Sequence, residues 1–193
     1  MPIDLGAALD AALRRGRLHL YLDANVLIDI LRKGRHPESV EFFEKALANR
    51  WLCTSSTFAR MEALDIEQKN KWIQQRIRAG EHPDRLLRRL GERALRPRTL
   101  RKLETQFYSA FLKGSDPLVQ WHRLDTEGWD LATELALTTN IAAPDCIHVA
   151  TALRAGCDVL VTWDQPLQKM ASQKHIASGH PTDLLNKLRA RGY

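Results

Sequence analysis

Two short apolar runs in this chain end at an aspartate and give way to helix-like sequence. LHLYL at residues 18–22 runs into Asp23 and then ANVLIDIL, while DVLVT at residues 158–162 is followed by Trp163 and Asp164. Such runs read as buried strands. The theme recurs. WLCT (51–54) reads as a strand followed by Ser55, Ser56 and Thr57, which offer helix N-caps, and LVQWHRL (118–124) as one followed by a cap at Asp125 or Thr126. Strands alternating with helices predict an α/β fold, with a parallel sheet covered on both faces. In such sheets ligands bind beyond the carboxyl ends of the strands.

The helices are marked by period and punctuation. Leu5, Ala8, Leu9, Ala12 and Leu13 predict an amphipathic helix over residues 3–14. Val26, Leu27, Ile30 and Leu31 mark a helix that stops at Gly34, and Pro37 opens another with Val40, Phe43, Ala46 and Leu47 on one face. Later helices turn Trp129, Ala132, Leu135 and Ala136 inward, run from Pro144 to a stop at Gly156, and span residues 182–190. The stretch between the last strand and the last helix has no clear period.

Composition sets the bounds. The 193 residues, 44% hydrophobic, suffice for one compact domain with an elaboration and a core that needs no disulfide or structural metal. No apolar run approaches the ~20 residues of a membrane span. The opening MPIDLGAALDAALRRGR, with Asp4 and Asp10 ahead of its basic residues, does not read as a signal peptide. Cys53, Cys146 and Cys157 are odd in number and lack C-x-x-C spacing, which fits reduced thiols in the cytoplasm rather than a disulfide scaffold or zinc knuckle.

The net charge of +6 is concentrated. Residues 66–115 hold thirteen basic and five acidic side chains, a net of +8, leaving sixteen basic and eighteen acidic residues, or −2, elsewhere. The segment reads as two or three helices broken near residues 80–83 and at Pro97. It could be a solvated helical hairpin in which Arg is simply a good helix former. The lopsidedness favours an electrostatic footprint for nucleic acid, with Arg85, Arg88, Arg89 and Arg93 as RNA-binding candidates.

Four acids can meet at one edge of the sheet. Asp23 and Asp164 follow strands. From Asp145 a helix climbs roughly 15–17 Å and the next strand returns ~16 Å, so Asp145 and Asp164 regain the same edge. Glu62 lies one to two turns into its helix, and a long side chain leaning toward the helix N-terminus reaches back to that edge. Four carboxylates together would repel, and a hard divalent cation removes that cost. Oxygen ligands suit Mg²⁺ or Mn²⁺, which can activate water and stabilise phosphoryl charge. Alone, Asp145 or Glu62 would read as a cap or surface charge; the set carries the argument.

YLDANVLIDIL (21–31), Glu62 in STFARMEAL, APDCIHVATAL (143–153) and LVTWD (160–164) resemble the PIN-domain nucleases, closest to the VapC-type ribonuclease toxins of toxin–antitoxin pairs. The resemblance covers residues 18–66 and 118–170. It implies a three-layer α/β/α domain with a central parallel sheet, and a single PIN-like nuclease domain over residues 1–193. An N-terminal helix (1–17) and an inserted basic helical arm at about 66–115 depart from the compact toxins. It further implies Mg²⁺- or Mn²⁺-dependent endoribonuclease activity with Asp23, Glu62, Asp145 and Asp164 as catalytic metal ligands, and Asn25 and Thr162 as residues that support them or fix the backbone. RNA as substrate, a cognate antitoxin and a homodimer are the partners it suggests, with no membrane.

Other residues are open to two readings. His148, three after Asp145, could contact phosphate, or it could pack or cap. Asp65 could replace Glu62, although Glu62 fits the motif. Asp29 reads as solvated. Trp163 could stack on a base or pack, and Trp72 within the basic segment hints at nucleic acid. Alternative functions are a non-catalytic RNA-binding or assembly module, a DNA-directed nuclease, and an aspartyl-phosphate phosphatase. The last wants an Asp two residues after Asp23, where Asn25 stands.

Overall fold

A computed structural model describes residues 3–33, 36–113, 116–174 and 176–193. The chain opens with α1 (Leu5–Arg14), β1 (His19–Leu22), α2 (Ala24–Arg32) and α3 (Pro37–Ala48). β2 (Leu52–Ser56) leads into the long α4 (Thr57–Arg78). α5 (Pro83–Arg88), a 3₁₀ turn (Leu90–Glu92) and α6 (Pro97–Phe111) follow. A short ribbon, β3 (Leu112–Lys113) with β4 (Asp116–Pro117), precedes β5 (Gln120–His122) and α7 (Thr126–Thr138). The chain ends with α8 (Ala143–Arg154), β6 (Val159–Val161), α9 (Gln165–Gln173), β7 (Ala177–Gly179) and α10 (Pro181–Arg189).

Five strands form one sheet in the order β5-β2-β1-β6-β7, every pair parallel. Leu20 lies opposite Cys53 and Val159, and Tyr21 opposite Thr54 and Leu160. The strand period of two sends alternate side chains to opposite cores. Leu20, Leu22, Val159 and Val161 pack with Leu27, Phe42, Phe43 and Leu184 on one face. Tyr21 and Leu160 pack with Leu135, Val149, Leu167 and Met170 on the other. The result is the expected three-layer α/β/α arrangement around a parallel sheet. The chain winds outward from β1 to β2 and β5, then returns to place β6 on the other side of β1. That reversal opens a crevice between the carboxyl ends of β1 and β6.

Local chemistry sets the joints. Asp4 Oδ1 accepts from Ala7 N at 2.8 Å, and Ser56 Oγ accepts from Ala59 N at 2.7 Å, capping α1 and α4. Proline opens α3, α5, α6, α8, α9 and α10 within the first turn. At the end of α8, Gly156 takes φ +66°, which turns the chain into β6.

Several expectations need correction. β2 runs past residue 54 to Ser56, because Thr54, Ser55 and Ser56 pair with β5 and Ser55 Oγ donates to the Leu22 carbonyl at 2.6 Å. Trp129 is 50% exposed, since α7 buries Gly128, Ala132 and Leu135 along a different stripe. Asp29 is not solvated: it is 2% exposed and accepts from Ser39 Oγ at 3.0 Å. α2 is closed by Lys33 in the left-handed region, while Gly34, the expected stop, lies outside the described residues. So does Ser115, the expected end of the basic segment. α9 and β7 occupy the stretch whose sequence showed no period, β7 being only Ala-Ser-Gly. Among the described residues no helix is long and apolar enough to cross a membrane. Cys53, Cys146 and Cys157 are free thiols.

The basic segment is braced as well as charged. Trp72 is buried, with the Arg76 guanidinium 5.8 Å from its ring, so it serves packing rather than base stacking. Leu103, Phe107 and Phe111 turn one face of α6 inward, Phe107 and Phe111 meeting Trp121. Gln106 Nε2 donates to the Leu31 carbonyl at 2.7 Å. Ion pairs join Arg32 to Glu67, Lys69 and Arg93 to Asp65, Arg76 and Arg89 to Glu81, and Arg89 to Glu92. Phe111→Ala, which empties a buried ring site between α6 and the core, should cost about 3–5 kcal/mol in urea unfolding. A loss under 1 kcal/mol would mean that α6 is not anchored there.

Candidate active site

The carboxyl end of β1 carries Asp23, only 4% exposed. Its amide extends the β1–β6 ladder by donating to the Val161 carbonyl at 3.1 Å. Its Oδ1 accepts from Ala24 N at 2.6 Å, where it caps α2. Its Oδ2 accepts from Thr162 Oγ1 at 2.7 Å. That hydroxyl also accepts from Asn25 Nδ2 at 3.1 Å and from Asp164 N at 3.0 Å. One donor and two lone pairs are thus all used. Asn25 Oδ1 in turn accepts from Trp163 N at 3.3 Å. The loop after β6 is therefore pinned to the start of α2, and Asn25 and Thr162 are the pins.

The other three acids come from helices that face this crevice. Asp164 caps α9, its Oδ1 accepting from Leu167 N at 2.8 Å. Asp145 sits in the first turn of α8, where the positive end of the helix dipole favours a carboxylate. Glu62 lies in the second turn of α4. Asp65, the alternative to Glu62, is committed to Lys69 and Arg93.

His148 joins two of these acids. It is 3% exposed, and its Nε2 lies 2.9 Å from Glu62 Oε2 and 3.3 Å from Asp23 Oδ1. Ionised carboxylates only accept, so Nε2 carries a hydrogen toward them. One hydrogen cannot point squarely at both, and Glu62 Oε2 remains buried without an aligned hydrogen-bond donor. Nδ1 meets Tyr21 Oη at 2.9 Å. Burial opposes protonation of the ring, but Asp23, then Glu62 and Asp145, outweigh it and raise its pKa. Read from the sequence, His148 packs, caps or contacts phosphate. Its i, i+3 spacing from Asp145 was the only signal, and that signal does not reveal contacts with Asp23 and Glu62. Trp163 packs: Nε1 donates to Ser39 Oγ at 2.8 Å and the ring stacks on His36 with centroids 4.5 Å apart.

The site carries uncompensated negative charge. The Asp145 carboxyl is pushed up to about 6, first by burial and then by Asp164, with Asp23 and Glu62 adding to the rise and His148 opposing it. Among the described residues no three His, Cys, Asp or Glu side chains form a ready-made cation cage. The donors nonetheless suit a hard divalent cation: they are carboxylate oxygens from four separate segments, Glu62 Oε2 being a buried one whose contact with His148 is poorly aligned. Such an ion would relieve the repulsion felt at Asp145. Of the proposed RNA-binding residues, Arg85 and Arg88 are exposed on α5, whereas Arg89 and Arg93 are engaged in the arm's ion pairs.

The family model described as PIN domain matches residues 20–173. The fold is similar to a crystal structure of FitAcB from Neisseria gonorrhoeae, with a TM-score of 0.55 and 16% identity over 84% of this chain and 98% of that one. It is also similar to a structure of FitAB bound to an IR36 DNA fragment, with a TM-score of 0.51 and 15% identity over 84% of this chain and 94% of that one. No curated protein matches the sequence significantly.

Two outcomes follow from the geometry. Thr162→Val keeps the shape but leaves Asp23 Oδ2, Asn25 Nδ2 and Asp164 N short of a partner. It should cost about 1–3 kcal/mol of unfolding free energy, with Thr162→Ser recovering most of it; equal stability of all three proteins would show that the hydroxyl does not hold the edge. Asp145 has a folded pKa of about 6 against an ordinary 3.8. The folded state therefore binds its proton more tightly, a contribution present below the unfolded value and lost as pH rises through the folded one. In EDTA, Asp145→Asn should raise Tm relative to wild type, and by more at pH 7.5 than at pH 5. A gain independent of pH would remove the raised Asp145 pKa, from burial and from neighbouring charge, from the account.

Proposed function

From the premise that the chain belongs to the PIN domain family, we propose that it is a metal-dependent endoribonuclease, the toxin of a type II toxin–antitoxin pair acting in the cytoplasm. The observation that carries the nuclease reading is the approach of Asp23, Glu62, Asp145 and Asp164, from four separate elements, to one crevice at the end of the sheet. Burial of Asp145, and after it the charge of Asp164, disfavours an unpartnered carboxylate there and supports a shared cation. These four acids would hold Mg²⁺ or Mn²⁺, which when bound supplies a water of lowered pKa and positive charge opposite the phosphodiester oxygens.

The chain's own residues set the conditions. Thr162 fixes the Asp23 carboxylate with its Oδ2 accepting, so the orientation of that oxygen is decided before substrate arrives. Asn25 holds Trp163 N, and Thr162 holds Asp164 N, so the two strand ends keep one spacing. His148 Nε2 lies between Asp23 and Glu62 and restrains both carboxylates from the buried side. The basic arm offsets the acidic edge, which would otherwise repel a polyanion. Arg85 and Arg88 on α5, with Arg89 and Arg93 beside them, are its proposed RNA contacts. The toxin reading, with its antitoxin and a homodimer, rests on the likeness to VapC-type toxins.

Cleavage of single-stranded RNA should require Mg²⁺ or Mn²⁺ and stop in EDTA, and Asp23→Asn or Asp145→Asn should lower the rate by orders of magnitude with the fold retained. Wild-type rates in either variant would sink the site assignment, and preferential cleavage of DNA of the same sequence would redirect the substrate. Expression of the wild type should slow growth, relieved by Asp145→Asn. Unimpaired growth with folded, nuclease-active protein would exclude a toxin role. Light scattering at micromolar concentration should give a dimer mass, and a monomer would remove that claim.

A further inference from the structure

The cations of the arm do not spread evenly over it. Where α4 ends and α6 begins, Arg78, Arg96, Arg98 and Lys102 line one cleft of ≈ 530 Å³ with Gln75 and Thr99. Gln75 Nε2 donates to Thr99 Oγ1 at 3.1 Å and ties the two walls together. All four cations are exposed, and among the described residues no carboxylate lines the cleft. Four acids of this region are engaged elsewhere: Glu67 with Arg32, Asp65 with Lys69 and Arg93, Glu81 with Arg76 and Arg89, and Glu92 with Arg89; Glu104, on the same helix as Lys102, does not line the cleft. Among the described residues none of the four cleft cations forms an ion pair. The positive end of the α6 dipole adds charge of the same sign at this point.

Four like charges facing one cleft are unfavourable until an anion arrives. Three of them are guanidinium groups, whose flat forks match phosphate oxygens two at a time. Every lining residue is polar or charged, and the apolar surface comes from Arg and Lys stems rather than from the aromatic or aliphatic anchors on which protein interfaces rely. It also lacks an aromatic platform for bases. The cleft therefore suits the backbone of a polyanion rather than a protein or a nucleobase. Arg78 follows Glu62 by sixteen residues on the same helix, which places it roughly 24 Å away along the axis. We infer that this cleft is a phosphate-binding subsite that grips single-stranded RNA several nucleotides away from the acidic edge. The identity of the polymer rests on the RNA-directed reading above; the anion chemistry of the cleft does not.

The test reads binding without cleavage. A fluorescent single-stranded RNA is titrated in EDTA, by anisotropy, at several salt concentrations. Wild type is compared with Arg78→Gln/Arg96→Gln/Arg98→Gln and with Arg14→Gln/Arg17→Gln/Arg50→Gln, which removes the same charge from exposed positions on α1 and the amino-terminal side of the sheet. Far-UV circular dichroism and thermal melts confirm folding. The cleft variant should bind at least tenfold more weakly, and its salt slope should fall by about 2, from roughly 0.7 per lost phosphate contact. The control variant should stay within a factor of about three of wild type. Equal losses in the two variants would show that net charge alone binds, and unchanged affinity in the cleft variant would empty the cleft of this role; either overturns the inference. A cleft variant with wild-type RNA affinity but an altered elution volume on a sizing column would reassign the cleft to a protein interface. Loss of binding in the cleft variant, alongside a wild type that binds RNA but never cleaves it with Mg²⁺ or Mn²⁺, would support the cleft while overturning the nuclease reading.

Discussion

An aspartate carboxylate buried at the end of the central strand is costly unless its oxygens are satisfied. Asp23 meets that demand with Ala24 N, Thr162 Oγ1 and the nearby His148 Nε2, drawing on α2, the loop after β6 and α8. Satisfying this one group fixes the relative placement of three elements far apart in sequence. It also explains why the loop after β6 begins with a residue that can donate and accept at once. A valine would fit the space at position 162 but could serve none of the three polar groups around it.

Charge is segregated in the same molecule. One end of the sheet gathers carboxylates, where burial and then Asp164 push Asp145 up to about 6, while the segment from α4 to α6 holds the excess of cations. α4 connects the two: Glu62 lies in its second turn and Arg78 at its last residue. A single stiff rod thus sets the spacing between the acidic edge and the cationic cleft. Ion pairs along the arm, from Arg32–Glu67 to Arg89–Glu92, engage Glu67, Glu81 and Glu92 and leave the cleft cations uncompensated. Because exposed pairs are individually weak, the arm's attachment relies more on Trp72, Leu103, Phe107 and Phe111, which are buried.

Much of this was legible in the linear chain because it follows from local rules. The alternation of short apolar runs with capped helical periods determined a parallel sheet, and the aspartates after residues 18–22 and 158–162 fell at strand ends because each is a helix cap that closes the extended run before it. Prolines and glycines marked the breaks in the basic segment. Other features depend on which faces meet, and no local rule contains that. Asp29 reads as a polar-face residue, yet α3 brings Ser39 over it and buries it. Trp129 reads as core, yet α7 presents Ala132 and Leu135 instead. Trp72 reads as a possible base contact, yet the helical arm folds over it. His148 is the clearest case. Its sequence spacing relates it to Asp145, but its contacts are with Tyr21, Asp23 and Glu62, residues 86 to 127 positions away that only sheet pairing and helix packing bring within reach. The sequence alone determined which residues end strands and cap helices, because those are near-neighbour constraints. The tertiary structure decided which charges face one another, because that depends on distances between segments that the chain itself does not set.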